Sequence, residues 1–301
     1  MPSLPDPINY AIPFFALTLL IEMWLVRKRR DIAGFEWRDT AVSLLLGSGS
    51  QLAGLATAGI VYAIAIWSHQ FALLDIGFIW WAWPICFLLG DLAYYVFHRS
   101  AHRIRWFWAA HVTHHGSQHY NLSTALRQTW TGFIAIGFIF YIPLFMIGFP
   151  SEMVFFCIAL NLIYQYWFHT EAIDKMPFWF EAVMNTPSHH RVHHATNARY
   201  LDANYAGVFI IWDRMFGSFV PEDDVDKIEY GLVKNLGSFN LLWAAFHEWA
   251  GIARDVWRAP WRHKLGYLLR EPGWSHDGSR ETSAMIKARA QGNPAKKQRI
   301  A

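Results

Sequence analysis

The chain has 301 residues, of which 54% are hydrophobic and 17% aromatic, while only 16% are charged. That balance excludes an ordinary soluble globule, and 17 Trp with 12 Tyr suit a protein with long membrane–water boundaries. A formal charge of +3 gives no footprint for nucleic acid, and two cysteines inside apolar runs read as buried small hydrophobes, not a disulfide framework.

Five apolar stretches follow in chain order. The first, 8–26, has Glu22 as its only charge and is followed by Arg27-Lys-Arg-Arg30. Glu22 reads as a charge snorkelling or paired with Arg27. The stretch lacks a basic segment in front and a small-residue cleavage site behind, so it does not read as a secretory signal. The second, 42–67, has no charge; the third, 76–97, has only Asp91. The fourth and fifth, 130–149 and 153–168, are uncharged and separated by a Pro150-Ser-Glu turn. Read as helices, these lengths suit a hydrocarbon core of about 30 Å. From 170 to 274 the breakers Pro187, Gly207, Gly217, Pro221 and Gly231 predict short helices and turns. From about 275 the tail is polar and basic and reads as disordered. The expected architecture is all-α: one integral-membrane domain over 1–274 with four to five spanning helices, and a cytosolic helical cap from 98–129 and 170–274.

Charge sets the expected orientation. All 26 Lys and Arg fall in 27–38, 99–127 or 175–299. Excess Lys and Arg mark the cytoplasmic side. The N-terminus is therefore expected outside, with two hairpins returning at His98 and His169 on the cytoplasmic face. The setting is a bacterial inner membrane, or the endoplasmic reticulum if the source is eukaryotic.

Eight histidines form three clusters: His98-Arg-Ser-Ala-His102, His111-Val-Thr-His114-His115 and His190-Arg-Val-His193-His194. Residues three and four apart share a helix face, so each cluster is expected to aim its imidazoles at one point. Eight neutral imidazoles exceed what one tetrahedral zinc uses, and the simplest fit is two metals. No carboxylate sits inside the clusters, which favours a redox metal over a hydrolytic pair. A storage tract would be low-complexity, and these clusters are separated by aromatic-rich sequence. A transporter would place its ligands at mid-membrane, and a zinc hydrolase of the HExxH type lacks its motif here. His69, His247, His263 and His276 read as ordinary surface histidines.

HxxxH, HxxHH and HxxHH in that order, with a membrane hairpin before the third, resemble the membrane-bound fatty acid hydroxylase and sterol desaturase superfamily. Within it, the stretches 120–128, 164–171, 185–194 and 204–219 are most similar to the alkylglycerol monooxygenases, tetrahydrobiopterin-dependent enzymes that cleave ether lipids. The resemblance implies two iron ions, O2, a lipid substrate and a reductant that is either tetrahydrobiopterin or an electron-transfer protein. It also implies the alternative of a sterol, carotenoid or fatty-acyl hydroxylase or desaturase fed by a ferredoxin. No nucleotide fingerprint, haem or iron–sulfur motif is present to carry electrons within the chain. The chain departs from the resemblance at Arg103, where an acid follows the first box, and at Gln118 and His119, which replace an acidic pair.

Several residues outside the boxes carry expectations. His169 ends an apolar run on the histidine side, and the resemblance implies a ninth ligand; an interfacial histidine capping a helix fits equally. Asp91, seven residues before His98, is expected to accept a hydrogen bond from a ligand imidazole. His189 adjoins His190 but points elsewhere, as a support to the ligands. Asn121, Ser123, Thr124 and Arg127 follow the second box and are read either as shaping the substrate or pterin entrance or as helix caps. Trp212 and Phe216 have helical spacing and read as core.

Overall fold

The computed structural model describes residues 4–28, 34–223 and 227–292. Arg29 and Arg30 of the first basic run, and the last basic residues of the tail, lie outside the described residues. Among the described residues the fold is helical, with two isolated β-bridges and no strand.

Helices α1 (Pro7–Lys28) and α2 (Trp37–His69) are long and apolar enough to cross a membrane. Both leave most of their apolar side chains exposed, among them Leu20 and Leu55. Near the C-terminal end of α1, Glu22 is buried rather than paired with Arg27. It accepts from the Leu122 N–H at 2.7 Å and from the Thr170 hydroxyl, tying α1 to the segments after the second box and after His169.

The third apolar stretch begins its helix later than hydropathy predicts. Helix α3 (Ala82–Arg103) carries His98 and His102 within its own last turns. Its core partner is α7 (Ser151–Tyr166), which with α6 (Ile142–Ile147) buries Cys86, Phe145, Phe149, Met153, Val154 and Cys157. Both cysteines are free and buried.

The stretch 130–149 is not one helix. Turns run to Ile136, which has φ 53° in the left-handed region; a 3-10 turn at Gly137–Tyr141 follows, then α6. The cause is local. Gly137 lies where a Cβ would sit 2.7 Å from the Phe97 ring, and Pro143 fits only the first turn of a new helix.

Helix α4 (Arg105–His115) follows α3 after one extended residue, Ile104. A single-turn helix, α5 (Leu122–Ala125), comes next. After α7 come α8 (Phe178–Glu181), α9 (Pro187–His194) and α10 (Ile211–Met215), then an 18-residue helix α11 (Leu241–Arg258) and α12 (Gly266–Leu269). The tail does not begin at 275. Arg280 forms two 2.7 Å bonds to Asp255, and α13 (Ser283–Gly292) follows; the paired buried carboxylate holds this segment against α11.

Candidate metal centre

The centre is built where the ends of α3 and α7 meet α4 and α9. Nine imidazoles gather there in two groups: His98, His102, His111, His115 and His193, and His114, His169, His190 and His194. Within each group the ligand nitrogens lie within 4.8 Å of one another. The second and third boxes are therefore split, contrary to the expectation of one target per box. On α4, His111 and His115 share a face while His114 points to the other group. On α9, His190 and His194 share a face while His193 crosses to the first. The rings of His115 and His194 stack at 4.3 Å between the groups. His169 faces the second group, with Nε2 3.2 Å from that of His114 and 3.0 Å from that of His190.

Backbone carbonyls fix the tautomers. His98 Nδ1 lies 2.7 Å from the Tyr205 carbonyl, His193 Nδ1 3.0 Å from that of Ala203, His114 Nδ1 3.2 Å from that of Arg127 and His169 Nδ1 2.8 Å from that of Gln165. A carbonyl only accepts, so each of these Nδ1 atoms carries the proton and each Nε2 presents a lone pair. Burial first, then neighbouring imidazoles, pushes His111, His115, His193 and His194 well below the usual histidine range, and His190 and His169 likewise. Burial takes His114 down to about 4, against the pull of the Arg127 carbonyl. These seven rings are neutral at physiological pH. His114 and His169 thus aim two lone pairs at each other across 3.2 Å. Two acceptors cannot satisfy one another; a cation placed among these nitrogens does. The buried His102 Nε2 also has no protein partner. The donor set fits two metal ions, and all-imidazole ligation suits iron as it does copper, nickel and zinc.

Two carboxylates support the ligands, and Asp91 does so differently from expectation. It makes no hydrogen bond to an imidazole. Fully buried in α3, it accepts from the Val208 N–H at 2.7 Å, the Phe209 N–H at 3.0 Å, Trp212 Nε1 at 2.9 Å and Asn161 Nδ2 at 2.5 Å. The loop it grips contains Tyr205, whose carbonyl orients His98. Gly207 lets that loop approach, since a Cβ there would lie 2.7 Å from Asp91 Oδ1. Asp213 holds the same loop from the other side through the N–H groups of Tyr205 and Ala206, both at 2.8 Å. Burial raises Asp213 to about 6 despite these bonds and that of Ser218.

The carboxylate nearest an imidazole is Asp202, which no sequence spacing singles out. Its Oδ1 lies 3.6 Å from His102 Nδ1, and Arg103 lies 4.0 Å from its other oxygen. Burial works against its charge, but His102 and Arg103 outweigh burial and hold it below the usual carboxylate range. Asp202 thus stands beside the first box where the chain carries Arg103 in sequence.

The remaining expectations resolve structurally. Asn121 caps α5, accepting from Ser123 N at 3.1 Å, and Thr124 Oγ1 accepts from Asn121 N at 3.3 Å. Ser123 also donates to Asn121. Arg127 is buried and donates to the Thr113 carbonyl at 2.8 Å, beneath α4. None of the four lines the cavity described below; Arg127 holds the second box through Thr113 and His114, while the other three bond within the turn that starts α5. His189 is buried against Phe219 and bonds to none of the nine imidazoles. Its carbonyl accepts from Asn204, a left-handed residue with φ 55°. Trp212 packs in the core and also donates to Asp91; Phe216 is half-exposed and stacks on Tyr95.

One cavity of about 320 Å³ reaches the centre, between α1, α2, α3, α4 and α7. His111, His114 and His169 line it, and Phe15, Phe97 and Leu162 are among its apolar walls. Its volume falls in the range of small-molecule sites.

The comparisons agree with this chemistry. Residues 83–218 match the fatty acid hydroxylase family model. The chain is 39% identical over 289 residues to alkylglycerol monooxygenase of Danio rerio, covering 91% of this chain and 61% of that protein. It is 38% identical over 282 residues to alkylglycerol monooxygenase of Homo sapiens, covering 90% and 61%. It is 26% identical over 210 residues to an ornithine lipid hydroxylase of Rhizobium tropici, covering 64% and 59%. The chain thus spans about three-fifths of the length of the alkylglycerol monooxygenases it matches. No solved structure matches it significantly.

Proposed function

We propose that this chain is a membrane-bound di-iron monooxygenase that hydroxylates the O-alkyl chain of glycerol ether lipids, with tetrahydrobiopterin as reductant. The observation that carries the reading is the centre itself: neutral imidazoles with opposed lone pairs, lining an apolar cavity. The similarity to alkylglycerol monooxygenases over nine-tenths of the chain selects the substrate class. In this reading His98, His102, His111, His115 and His193 hold one iron, and His114, His169, His190 and His194 the other.

Bound iron supplies O2 activation and oxidation of an unactivated C–H bond, chemistry that no side chain provides. The chain does the rest. The carbonyls of Tyr205, Ala203, Arg127 and Gln165 keep four ligands in the metal-binding tautomer. Phe15, Phe97 and Leu162 hold an alkyl tail and exclude water. The cavity runs alongside His111, His114 and His169, so an alkyl chain held in it can place the carbon beside the ether oxygen next to the centre. One oxygen atom of O2 enters that carbon and the other leaves as water. Two electrons and two protons come from the pterin, which is oxidised to its dihydro form. The product is a hemiacetal, which breaks into an aldehyde and a glycerol species.

Residues 1–274 act as one domain in this reading, with α1, α2, α3 and α7 as four spanning helices. The segment 130–149 enters the bilayer without crossing it as one helix. The one-sided Lys and Arg support an N-terminus outside and a centre at the cytoplasmic face.

The test is purified, iron-loaded protein with an alkylglycerol, tetrahydrobiopterin and isotopically labelled O2. A labelled fatty aldehyde is expected. Hydroxylation of a sterol or acyl lipid with a ferredoxin system, without aldehyde from the ether lipid, would leave only the broader hydroxylase assignment standing.

A further inference from the structure

Helix α11 has two faces of opposite purpose. Its inner face carries Ala244, Ala245, Gly251, Ile252 and Asp255, all buried. Its outer face carries Leu242, Trp243, Phe246, Ala250, Ala253 and Trp257, all exposed. At 3.6 residues per turn these six fall within about 100° of the helix circumference. An apolar stripe of that width is normally the buried one. Trp257 is 85% exposed, and Trp261, after the helix, is 87% exposed. Leu265 and Leu269 extend the exposed stripe through α12.

The helix is too charged to span a bilayer, with Glu248, Arg254, Asp255 and Arg258 in 18 residues. It is, however, lined with cations. Among the described residues Arg254, Arg258, Arg262 and Lys264 form no ion pair with a carboxylate, while Asp255 is neutralised by Arg105 and Arg280. A basic flank beside an aromatic-rich apolar face complements an anionic lipid surface. In the spanning reading of α2, α11 lies at headgroup level, because Ala244 and Ala245 pack with Val42 and Leu46 in the first turns of α2, one turn beyond Arg38.

We propose that α11, continued through Leu269, is an in-plane anchor seated on anionic phospholipid headgroups, and that it sets the bilayer depth of the metal centre. The proposal rests on the membrane-spanning reading above. The coupling to the centre is direct. Arg105, the first residue of α4, donates to Glu248 at 2.6 Å and to Asp255 at 2.7 Å, and Thr113 donates to the Ala244 carbonyl at 3.3 Å. The helix that carries His111, His114 and His115 is therefore fixed to the anchor at both ends. An anchor of this kind sits about 5–10 Å into the headgroup–acyl boundary, where an amphiphile keeps its polar head while its tail enters the cavity.

The test uses the full chain in lipid nanodiscs. Phe246→Cys and Trp257→Cys are labelled with a polarity-sensitive dye, with Leu55→Cys on the outer face of α2 as a control; native Cys86 and Cys157 are buried. With brominated acyl chains all three dyes are expected to emit in the blue and lose roughly half their intensity. In phosphatidylglycerol nanodiscs, quenching at 246 and 257 is expected to exceed that in phosphatidylcholine, and Arg254→Gln with Arg258→Gln should remove the difference. Water-like emission at 246 and 257 with quenching at 55 overturns the anchor and leaves the spanning reading intact. Blue emission without quenching at 246 and 257 means a second copy covers the face, and also overturns it. No quenching at any site overturns the spanning reading and the anchor together.

Discussion

Replacing Asp91 tests whether the 205–209 loop, rather than a direct contact, sets the geometry of the first ligand. The carboxylate receives four donors, two of them backbone N–H groups, in a fully buried setting. Hydrogen bonds to a charged acceptor contribute about 1.5–3 kcal/mol each, but four that share one acceptor do not add. Removing one partner of a buried charged arrangement costs about 3–5 kcal/mol, and Asp91→Ala should fall there. Asp91→Asn keeps one accepting oxygen and turns an NH2 toward other donors, so about half that loss is expected. At about 2–4 °C per kcal/mol, the alanine variant should melt roughly 6–20 °C lower. The assay is thermal unfolding of the purified protein, with iron content measured on the same samples. Because Asp91 reaches His98 only through the Tyr205 carbonyl, lost stability and lost iron should move together across the two variants. The reasoning is refuted if iron binding falls while both variants melt within about 2 °C of the parent. That result would mean Asp91 acts on a ligand without holding the loop.

Four further outcomes are expected. His98→Ala, His111→Ala, His115→Ala and His193→Ala, and likewise the second group's His114→Ala, His169→Ala, His190→Ala and His194→Ala, should each abolish turnover and lower bound iron, read by elemental analysis; full turnover and unchanged iron in any two of them would sink the two-metal assignment. Asp255→Asn should cost about 1–3 kcal/mol, since Glu248 still pairs Arg105. Burial opposes its charge, but Arg280 and Arg105 hold Asp255 below the usual carboxylate range, so its stabilising contribution is present above about pH 4 and is lost as pH falls through the folded value; the variant's acid unfolding curve should be flatter there. Gly132→Leu extends into the cavity, because a Cβ at Gly132 meets only Thr129, at 3.6 Å, and should lower kcat/KM for long alkyl chains roughly 10–100-fold with a smaller loss for short ones. Asp174→Cys, at a side chain 95% exposed on the histidine side, should react with an impermeant thiol reagent only after cells are permeabilised; labelling of intact cells would invert the topology.

The histidines that gather at the centre were legible because the information is local. Three- and four-residue spacing of histidines survives any tertiary arrangement, and α1 and α2 need only length and hydropathy. What the structure alone decided depends on contacts between distant segments. Hydropathy sums side chains along 130–149 and does not register that Gly137 faces Phe97 or that Ile136 turns left-handed. The division of nine imidazoles into two groups follows from the placing of α4 and α9 between the ends of α3 and α7, which no box encodes by itself. Asp202 meets His102 from a hundred residues away, through a left-handed turn with φ 52°, and has no periodic signature. The outward apolar stripe of α11 has the same residue pattern as a buried one; periodicity gives the face, and only packing against α4 and α2 shows which way it points.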